Sequence, residues 1–580
     1  MSNIQQLITE NLDIWANAIK PKSAAGRGRG KAGNGKYELY GIKKLRELIL
    51  ELAVRGLLVP QDVNDEPAND LLNAISDKKS SLLIDGKIKK RKPLPVITDE
   101  EKKVELPKGW AYERLGNLVN VLNGRAYKKH EMLSEGIPLL RVGNLFTSKE
   151  WYYSDLELEP EKYIDDGDLI YAWSASFGPF IWQGGKVIYH YHVWKLDLFD
   201  AGKINKNYLC LFLQEITDEI KASGNGIAMI HMTKERMEKL LTPFPPLAEQ
   251  HRIVAKVDEL MALCDQLEQQ TETSITAHQT LVETVLEALT RPSAANELDA
   301  SAIFFEHFDT LFTTEQSIDQ LKQTILQLAV MGKLVPQDPN DEPASELLKK
   351  IAAEKEKLIQ EKKIKKQKAL SPISDEEKPF ELPEGWGFKR LGDLSYIFSG
   401  NSFKSHDFNE SGGIKVIKIT NAGVGELIDT NDYLPESYFF DYESFRVIEG
   451  DLILALTRPY ISNGLKISIC PNSYNNSLLN QRVAAIRAFI ENKFLYQYMQ
   501  SVFVLGLYQE RFGSSGLQPN LKMGDVTELV VPVPPIEEQH RIVTKVNELM
   551  TLCDQLKQKL ADSKTSQLHL ADAMAEQAVG

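Results

Sequence analysis

The segment Pro245–Leu267, PPLAEQHRIVAKVDELMALCDQL, returns almost unchanged at Pro534–Leu556 as PPIEEQHRIVTKVNELMTLCDQL. Proline cannot continue a helix but can precede one, and Glu249 falls in the first turn, where the helix dipole favours an acid. Apolar residues then step by four and three: Ile253, Val257, Leu260, Cys264, Leu267, and later Leu281 and Val285. The second copy has Ile542, Val546, Leu549, Cys553, Leu556, Leu560, Leu570 and Met574. This is an a/d heptad seam, so each copy predicts a long helix. Both seams turn polar in the middle, at Thr271, Ser274 and His278 in one and at Ser563 and Gln567 in the other. Polar seam positions cost stability but fix register and partner. Two helices of about forty residues, roughly 60 Å each, are expected to pack antiparallel and hold two domains apart. Cys264 and Cys553 sit on the seam and read as small core residues, while His251 and His540 suit surface or capping roles.

Working outward, the chain contains itself twice. IKKLRELILELAVRGLLVPQDVNDEPANDLL from Ile42 returns from Ile318 as IDQLKQTILQLAVMGKLVPQDPNDEPASELL. The same register carries KIKKRK at Lys87 into KIKKQK at Lys363, and LPKGWAYERLGNL at Leu106 into LPEGWGFKRLGDL at Leu382. The 42–75 and 318–350 repeats read as helices that stop at a Gly followed by a turn. The basic runs Lys87–Lys92 and Lys363–Lys368, with the acidic clusters Asp99–Glu101 and Asp375–Glu377, read first as solvated connector; docking on a partner or on DNA phosphate is the alternative. Between the repeats lie two divergent stretches, about 117–244 and 393–533. Near-identical scaffold around unlike inserts suggests two reading heads on one frame, whereas self-packing for stability would not require the inserts to differ.

Each insert opens with Leu-Pro-x-Gly-Trp and continues as short strand-like runs broken by glycines: IPLLRVGNL, DDGDLIYAW and GKVIYHYHVWKL, then IKVIKITNAG, IEGDLILAL and LKISIC. The fold class is therefore α+β: two α+β domains joined by two long antiparallel coiled-coil helices, an internal duplication with pseudo-twofold symmetry. The segments are 1–105 (helical, with a basic Gly-rich linker at 26–36), 106–246, 247–295, 296–381, 382–535 and 536–580. From Leu106 to Pro245, 16 Lys or Arg face 18 Asp or Glu, and from Leu382 to Pro534 the balance is 13 against 16. With a net charge of −13 over the 580 residues, bulk electrostatics do not predict DNA binding, and local chemistry must carry it.

That chemistry falls at matching places. Asn123, Arg125, Tyr127 and Lys128 answer Asn401, Phe403 and Lys404; Arg141 and Asn144 answer Lys418 and Asn421. Ser174, Ser176 and Phe177 answer Thr457, Arg458 and Tyr460, and His231 aligns with Asn520. Arg and Lys pair with guanine, and Asn or Gln with adenine, so polar residues that differ on a common frame are what two base readouts need. Each alone is equally a loop residue without a ligand.

Other classes fall away. The four cysteines are too few and scattered for a disulfide framework or a zinc site. No apolar run approaches the roughly 20 residues that span a bilayer, and the start lacks a secretory signal, so a cytoplasmic protein is expected. The G-x4-G-K spacing at Gly30–Lys36 is followed by Tyr37 where magnesium needs Ser or Thr, and reads as flexible linker. The amino-methyltransferase tetrad, a carboxylate–lysine nuclease signature and a His-Glu-x-x-His motif are all missing.

With the duplicated Leu-Pro-x-Gly-Trp…Leu-Gly-x-Leu openings and the paired Pro-Pro-[Leu/Ile]-x-Glu-Gln-His-Arg-Ile-Val helix starts, the chain resembles the specificity subunit of type I restriction–modification systems, in its longer subfamily. The resemblance covers about residues 40–580. It implies that each insert is a target-recognition domain reading half of a bipartite double-stranded DNA site, and that the helices set the unread spacer and dock two modification subunits. Those subunits would methylate adenine with S-adenosylmethionine, and translocating restriction subunits would use ATP and Mg²⁺. No catalysis, metal or cofactor is expected in this chain. The rival readings are a structural coiled-coil scaffold without base reading and an enzyme of unrecognised chemistry.

Overall fold

The computed structural model of the chain describes residues 7–21, 37–102, 104–174, 176–223, 232–290, 301–461, 464–512 and 519–579. Two compact units divide it: residues 1–275 with 563–580, and residues 276–562. The linker 26–36 and His231 lie outside the described residues.

The two long helices run over Leu247–Thr290 and Ile536–Val579. In the first unit, the start of one and the end of the other share a core with helix Tyr40–Val54. Ile42, Leu45, Ile49 and Ala53 bury against Ile253, Val257, Leu260 and Cys264 and against Ala571, Met574 and Ala578, with Leu267 partly buried. Directions follow from polar pairs at the rim. Tyr40 donates to Asp572 at 2.6 Å and Arg55 to the Val579 carbonyl at 3.4 Å, so the end of the second long helix runs with Tyr40–Val54. Arg46 meets Asp265 and Glu268 at 2.6 and 2.8 Å, while Gln61, just beyond this helix, reaches Glu249, so the first long helix runs against it. Within this unit the two long-helix ends are therefore antiparallel.

The second unit repeats the plan with helix Glu315–Val330. Ile318, Leu321, Ile325 and Ala329 pack with Ile542, Val546 and Cys553, and with Val282, Val285, Leu286 and Leu289; Leu549, Leu556 and Leu560 are partly buried there. In each unit the long-helix pair thus shares its core with a third helix. Two seam positions read from the heptad are corrected. Leu281 and Leu570, at equivalent places, are 50% and 46% exposed, and Val282 and Ala571 bury instead. A straight α-helix drifts about 20° per heptad against a 3.5-residue repeat, so a face that is not supercoiled moves on by one residue across the polar middle. His278 leaves the seam too: its Nε2 lies 3.1 Å from the Thr310 carbonyl and 3.3 Å from Thr313 Oγ1.

The connectors are not free. Arg114, of the Arg-Leu-Gly opening, is buried and donates to the carbonyls of Pro95, Val96 and Lys239 and to Glu101 at 2.7 Å. Arg390 does the same with Ser371, Pro372, Glu528 and Glu377. The acidic clusters are solvent-exposed as read, but one acid of each, Glu101 or Glu377, latches onto the arginine, whose guanidinium pulls its carboxyl down to about 2.

The first insert holds β1 (Ala111–Arg114), β2 (Val119–Asn123), β3 (Ile137–Leu140), β4 (Tyr152–Ser154), β5 (Tyr163–Ile164), β6 (Leu169–Ser174), β7 (Ser176–Ile181), β8 (Val187–Tyr189), β9 (Val193–Leu198) and β10 (Leu241–Phe244). They make sheets of order β4-β3-β8-β5 and β2-β9-β6-β7 and the pair β10-β1. The second insert holds β11 (Gly387–Arg390), β12 (Ser395–Ser399), β13 (Ile414–Ile417), β14 (Tyr433–Leu434), β15 (Leu452–Ala455), β16 (Tyr460–Ile461), β17 (Gly464–Leu465), β18 (Ile467–Ile469), β19 (Leu478–Leu479), β20 (Val483–Ala488) and β21 (Val530–Val533). Their orders are β12-β20-β15-β18, β14-β13-β19, β16-β17 and β11-β21. In each insert one parallel pair, β3 with β8 and β13 with β19, joins the smaller sheet. The fold is α+β and internally duplicated.

Candidate nucleic-acid interface

The run GKVIYHYHVWKL, one strand-like stretch in the sequence, is two strands in different sheets. β8 ends at Tyr189, β9 begins at Val193, and His190-Tyr191-His192 turns the corner between them. Backbone hydrogen bonds gather the neighbouring loops onto this corner. His190 N–H donates to the Leu140 carbonyl at 2.9 Å and Tyr191 N–H to Arg125 at 3.1 Å; Arg125 N–H donates to Tyr189 at 3.1 Å and Trp173 N–H to His192 at 3.1 Å. The loops bearing Arg125, Arg141 and Ser174 thus converge at one place.

Glycine makes the convergence possible. A Cβ on Gly124 would stand 2.4 Å from the His190 carbonyl oxygen, and one on Gly400 2.0 Å from that of Leu479. In the second insert Asn480-Gln481-Arg482 forms the corner between β19 and β20. Asn480 N–H donates to Ile417 at 2.9 Å, Gln481 N–H to Asn401 at 3.0 Å, Asn401 N–H to Leu479 at 2.9 Å and Leu456 N–H to Arg482 at 2.9 Å.

Within this frame the predicted residues divide. Asn123, Lys128, Arg141, Lys404, Arg458 and Asn520 are exposed. Arg141 also lies 5.1 Å from the Tyr152 ring centroid. Arg125 pairs with Glu131 through both guanidinium nitrogens, at 2.7 and 3.2 Å, and holds that carboxyl down at about 2. Lys418 pairs with Asp432 at 2.7 Å and lies 4.8 Å from the Phe408 ring. Ser174 and Ser176 face each other, partly buried, across the β6–β7 hairpin. Thr457 instead bridges to Asn520, and Arg458, with φ 50°, donates its N–H to Pro519.

Two candidates are engaged by their own loops. The Asn144 carbonyl oxygen accepts from Arg141 N–H at 3.1 Å and its amide donates to Glu150 at 2.8 Å, so the side chain caps the helix Val142–Phe146. Asn421 is fully buried. Its oxygen accepts from Lys418 N–H at 2.8 Å and its amide donates to Ile428, Thr430 and Tyr474. The buried Asn421 amide, spent in this way, brackets its loop and has nothing left for a base, whereas the partly exposed Asn144 keeps one N–H and one lone pair.

The sequence reading missed the corner residues themselves. Around His190-Tyr191-His192 stand Trp173 and Trp194, stacked at 5.3 Å, with Tyr191 and His192 each edge-on to Trp173. Burial pushes the His190 imidazole down to about 4, with the charges of His192 and Arg141 adding to it. The available signal was a short unlike triplet, HYH against NQR, between matched apolar runs.

A family model for the type I restriction modification DNA specificity domain matches residues 107–277 and again 383–563. The specificity subunit of the type I restriction enzyme EcoAI of Escherichia coli is 42% identical over the full length of both chains. That of EcoEI, also of Escherichia coli, is 38% identical over 99% of this chain and all of its own. The HsdS subunit from Thermoanaerobacter tengcongensis, a solved structure, is 18% identical, covering 82% of this chain and 98% of that one with a TM-score of 0.39. The chain belongs to the family of type I restriction–modification specificity subunits.

Among the described residues no helix is long and apolar enough to cross a membrane, and no group of three or more His, Cys, Asp or Glu could hold a metal ion. All four cysteines are free; Cys264, Cys470 and Cys553 are buried, and burial raises each thiol, Cys264 to about 11.

Proposed function

We propose that this chain is the DNA-reading subunit of a cytoplasmic type I restriction–modification complex, with residues 106–245 reading one half of a split site and residues 382–534 the other. The observation that carries this is a shared backbone corner, held by equivalent hydrogen bonds in both domains, that presents unlike side chains. The long helices set the unread gap and dock two modification subunits. The chemistry belongs to those partners: adenine methylation with S-adenosylmethionine, and ATP- and Mg²⁺-dependent translocation and cleavage by restriction subunits. This chain contributes recognition and geometry and no reacting group. Because partner subunits clamp the duplex, an acidic chain suffices, and the isolated chain should show a shallower salt dependence of DNA binding than the assembly.

The test is to express the chain with its modification subunit in a host without adenine methylation and to map modified adenines by single-molecule sequencing. A split motif with a fixed gap is expected. A continuous motif would leave one domain without a role. No modification, with the partner active beside another specificity subunit, would favour the scaffold reading.

A further inference from the structure

Each corner tripeptide is where three loops of its domain meet, and the family match does not single it out. Five backbone hydrogen bonds hold each one. In the first domain they run from Arg125 N to Tyr189 O, His190 N to Leu140 O, Tyr191 N to Arg125 O, Val193 N to His190 O, and Trp173 N to His192 O. In the second they run from Asn401 N to Leu479 O, Asn480 N to Ile417 O, Gln481 N to Asn401 O, Val483 N to Asn480 O, and Leu456 N to Arg482 O. The correspondence is bond for bond. Glycines at 124 and 400 allow the same close approach. Selection for folding accounts for the shared backbone and for the buried flanks Tyr189, Val193, Leu479 and Val483. It does not account for three side chains that differ in every position.

Those side chains are presented outward. Tyr191, Gln481 and Arg482 are exposed, and His190, His192 and Asn480 are partly so. Among the described residues no hydrogen bond or ion pair engages the Gln481 amide or the Arg482 guanidinium, whereas Arg125, Lys418 and Asn421 are already committed within their own domain. An exposed guanidinium and an exposed carboxamide on a rigid corner are the groups that make paired contacts to guanine O6/N7 and adenine N6/N7. The first domain offers aromatic and imidazole groups there instead, suited to a different base step.

We propose that residues 190–192 and 480–482 are the principal specificity-determining residues of the two domains, with Arg482 and Gln481 reading adjacent purine edges in the second half-site. This deepens the reading above and rests on it.

The experiment uses the assembled methyltransferase with wild-type chain, Gln481→Ala, Arg482→Ala and Arg482→Lys, read by methylome and by competition binding with duplexes varied one base pair at a time. Arg482→Ala should relax one guanine position, with discrimination falling roughly 5- to 150-fold, and leave the first half-site and the gap unchanged. Gln481→Ala should relax a neighbouring adenine position. Arg482→Lys separates roles: it keeps the charge and loses the fork, so affinity should persist while discrimination falls. Unchanged motifs in both alanine variants would overturn the proposal. So would weakening that is uniform over all sequences with a smaller salt slope, because that is the signature of a phosphate contact. A wild-type methylome without a split motif would instead overturn the function proposed above, so the two failures are distinguishable. Both side chains are exposed, and unchanged melting of the variants checks that folding is not the cause.

Discussion

Glu249 is buried, and its two oxygens accept from the Trp110 indole at 3.0 Å and the Gln61 amide at 3.1 Å. Glu538 does the same with Trp386 at 2.9 Å and Gln337 at 3.1 Å. Beside each, an arginine closes on an aspartate: Arg252 on Asp65 and Arg541 on Asp341, at 2.6 and 2.7 Å. The Val-Pro-Gln-Asp, Gly-Trp and Glu-Gln-His-Arg repeats are therefore parts of one knot. Glu249→Ala strands the buried Trp110 indole N–H, which costs roughly 1–3 kcal/mol when left unsatisfied in the interior, while the Gln61 amide keeps the Gly56 carbonyl. A lowered Tm in scanning calorimetry checks this, with Glu249→Gln milder because it keeps one acceptor. Burial raises the Glu249 and Glu538 carboxyls. The folded state therefore holds their protons more tightly, and their contribution to stability declines as pH rises from the ordinary 4.5 through the raised value. Glu101 and Glu377 have the opposite sign: their latches contribute above the ordinary value and are lost as pH falls from 4.5 towards 2. For His190, held near 4, the stabilising contribution is present above about 6.5 and disappears as pH falls towards 4. NMR titration should find its ring neutral throughout pH 6–8; a midpoint near 6.5 would contradict the burial seen here.

At the scale of elements, each long helix has two apolar faces, one for each half. Leu260 is buried on the first face, while Leu281, which continues its heptad, is half exposed. Leu260→Ala should cost about 2–5 kcal/mol, whereas Leu281→Ala and Leu570→Ala should stay within about 0.5 kcal/mol. Urea unfolding of the three variants separates the seam in the structure from the seam an unbroken heptad would have. The half-helices also carry their pairing in charge. Arg46 meets Asp265 and Glu268 in one unit; Lys322 meets Asp554, and Lys557 meets Asp319, in the other. These pairs are at least partly exposed and worth little individually.

For the whole molecule, the function proposed above gives reading and measuring to different parts. Replacing 382–534 with the corresponding segment of another family member should exchange one half-site and leave the other half-site and the gap intact, as a methylome would show. Inserting seven residues at equivalent points of both long helices adds about 10 Å at 1.5 Å per residue. The gap should then lengthen by about three base pairs at 3.4 Å each, with both half-sites unchanged. A changed base preference with an unchanged gap would contradict the division.

What the sequence determined by itself follows from periodicity and repetition. The long helices, the α+β inserts, the duplication and the family are local or self-referential signals: a 3.5-residue apolar step, glycine-broken β runs, a motif found twice. What only the tertiary structure decided depends on contacts between residues far apart in the chain. Asn421 and Arg125 have the right chemistry for bases, yet one is spent on Ile428, Thr430 and Tyr474 and the other on Glu131. One acid of each exposed connector, Glu101 or Glu377, is claimed by a distant arginine, Arg114 or Arg390. His190-Tyr191-His192 reads as strand because the apolar runs on both sides are strands, and only the pairing of β8 with β3 and of β9 with β6 shows that the chain changes sheets there. Residue type states which hydrogen bonds a side chain is able to make; the fold decides which of them are already made, and so which remain for DNA.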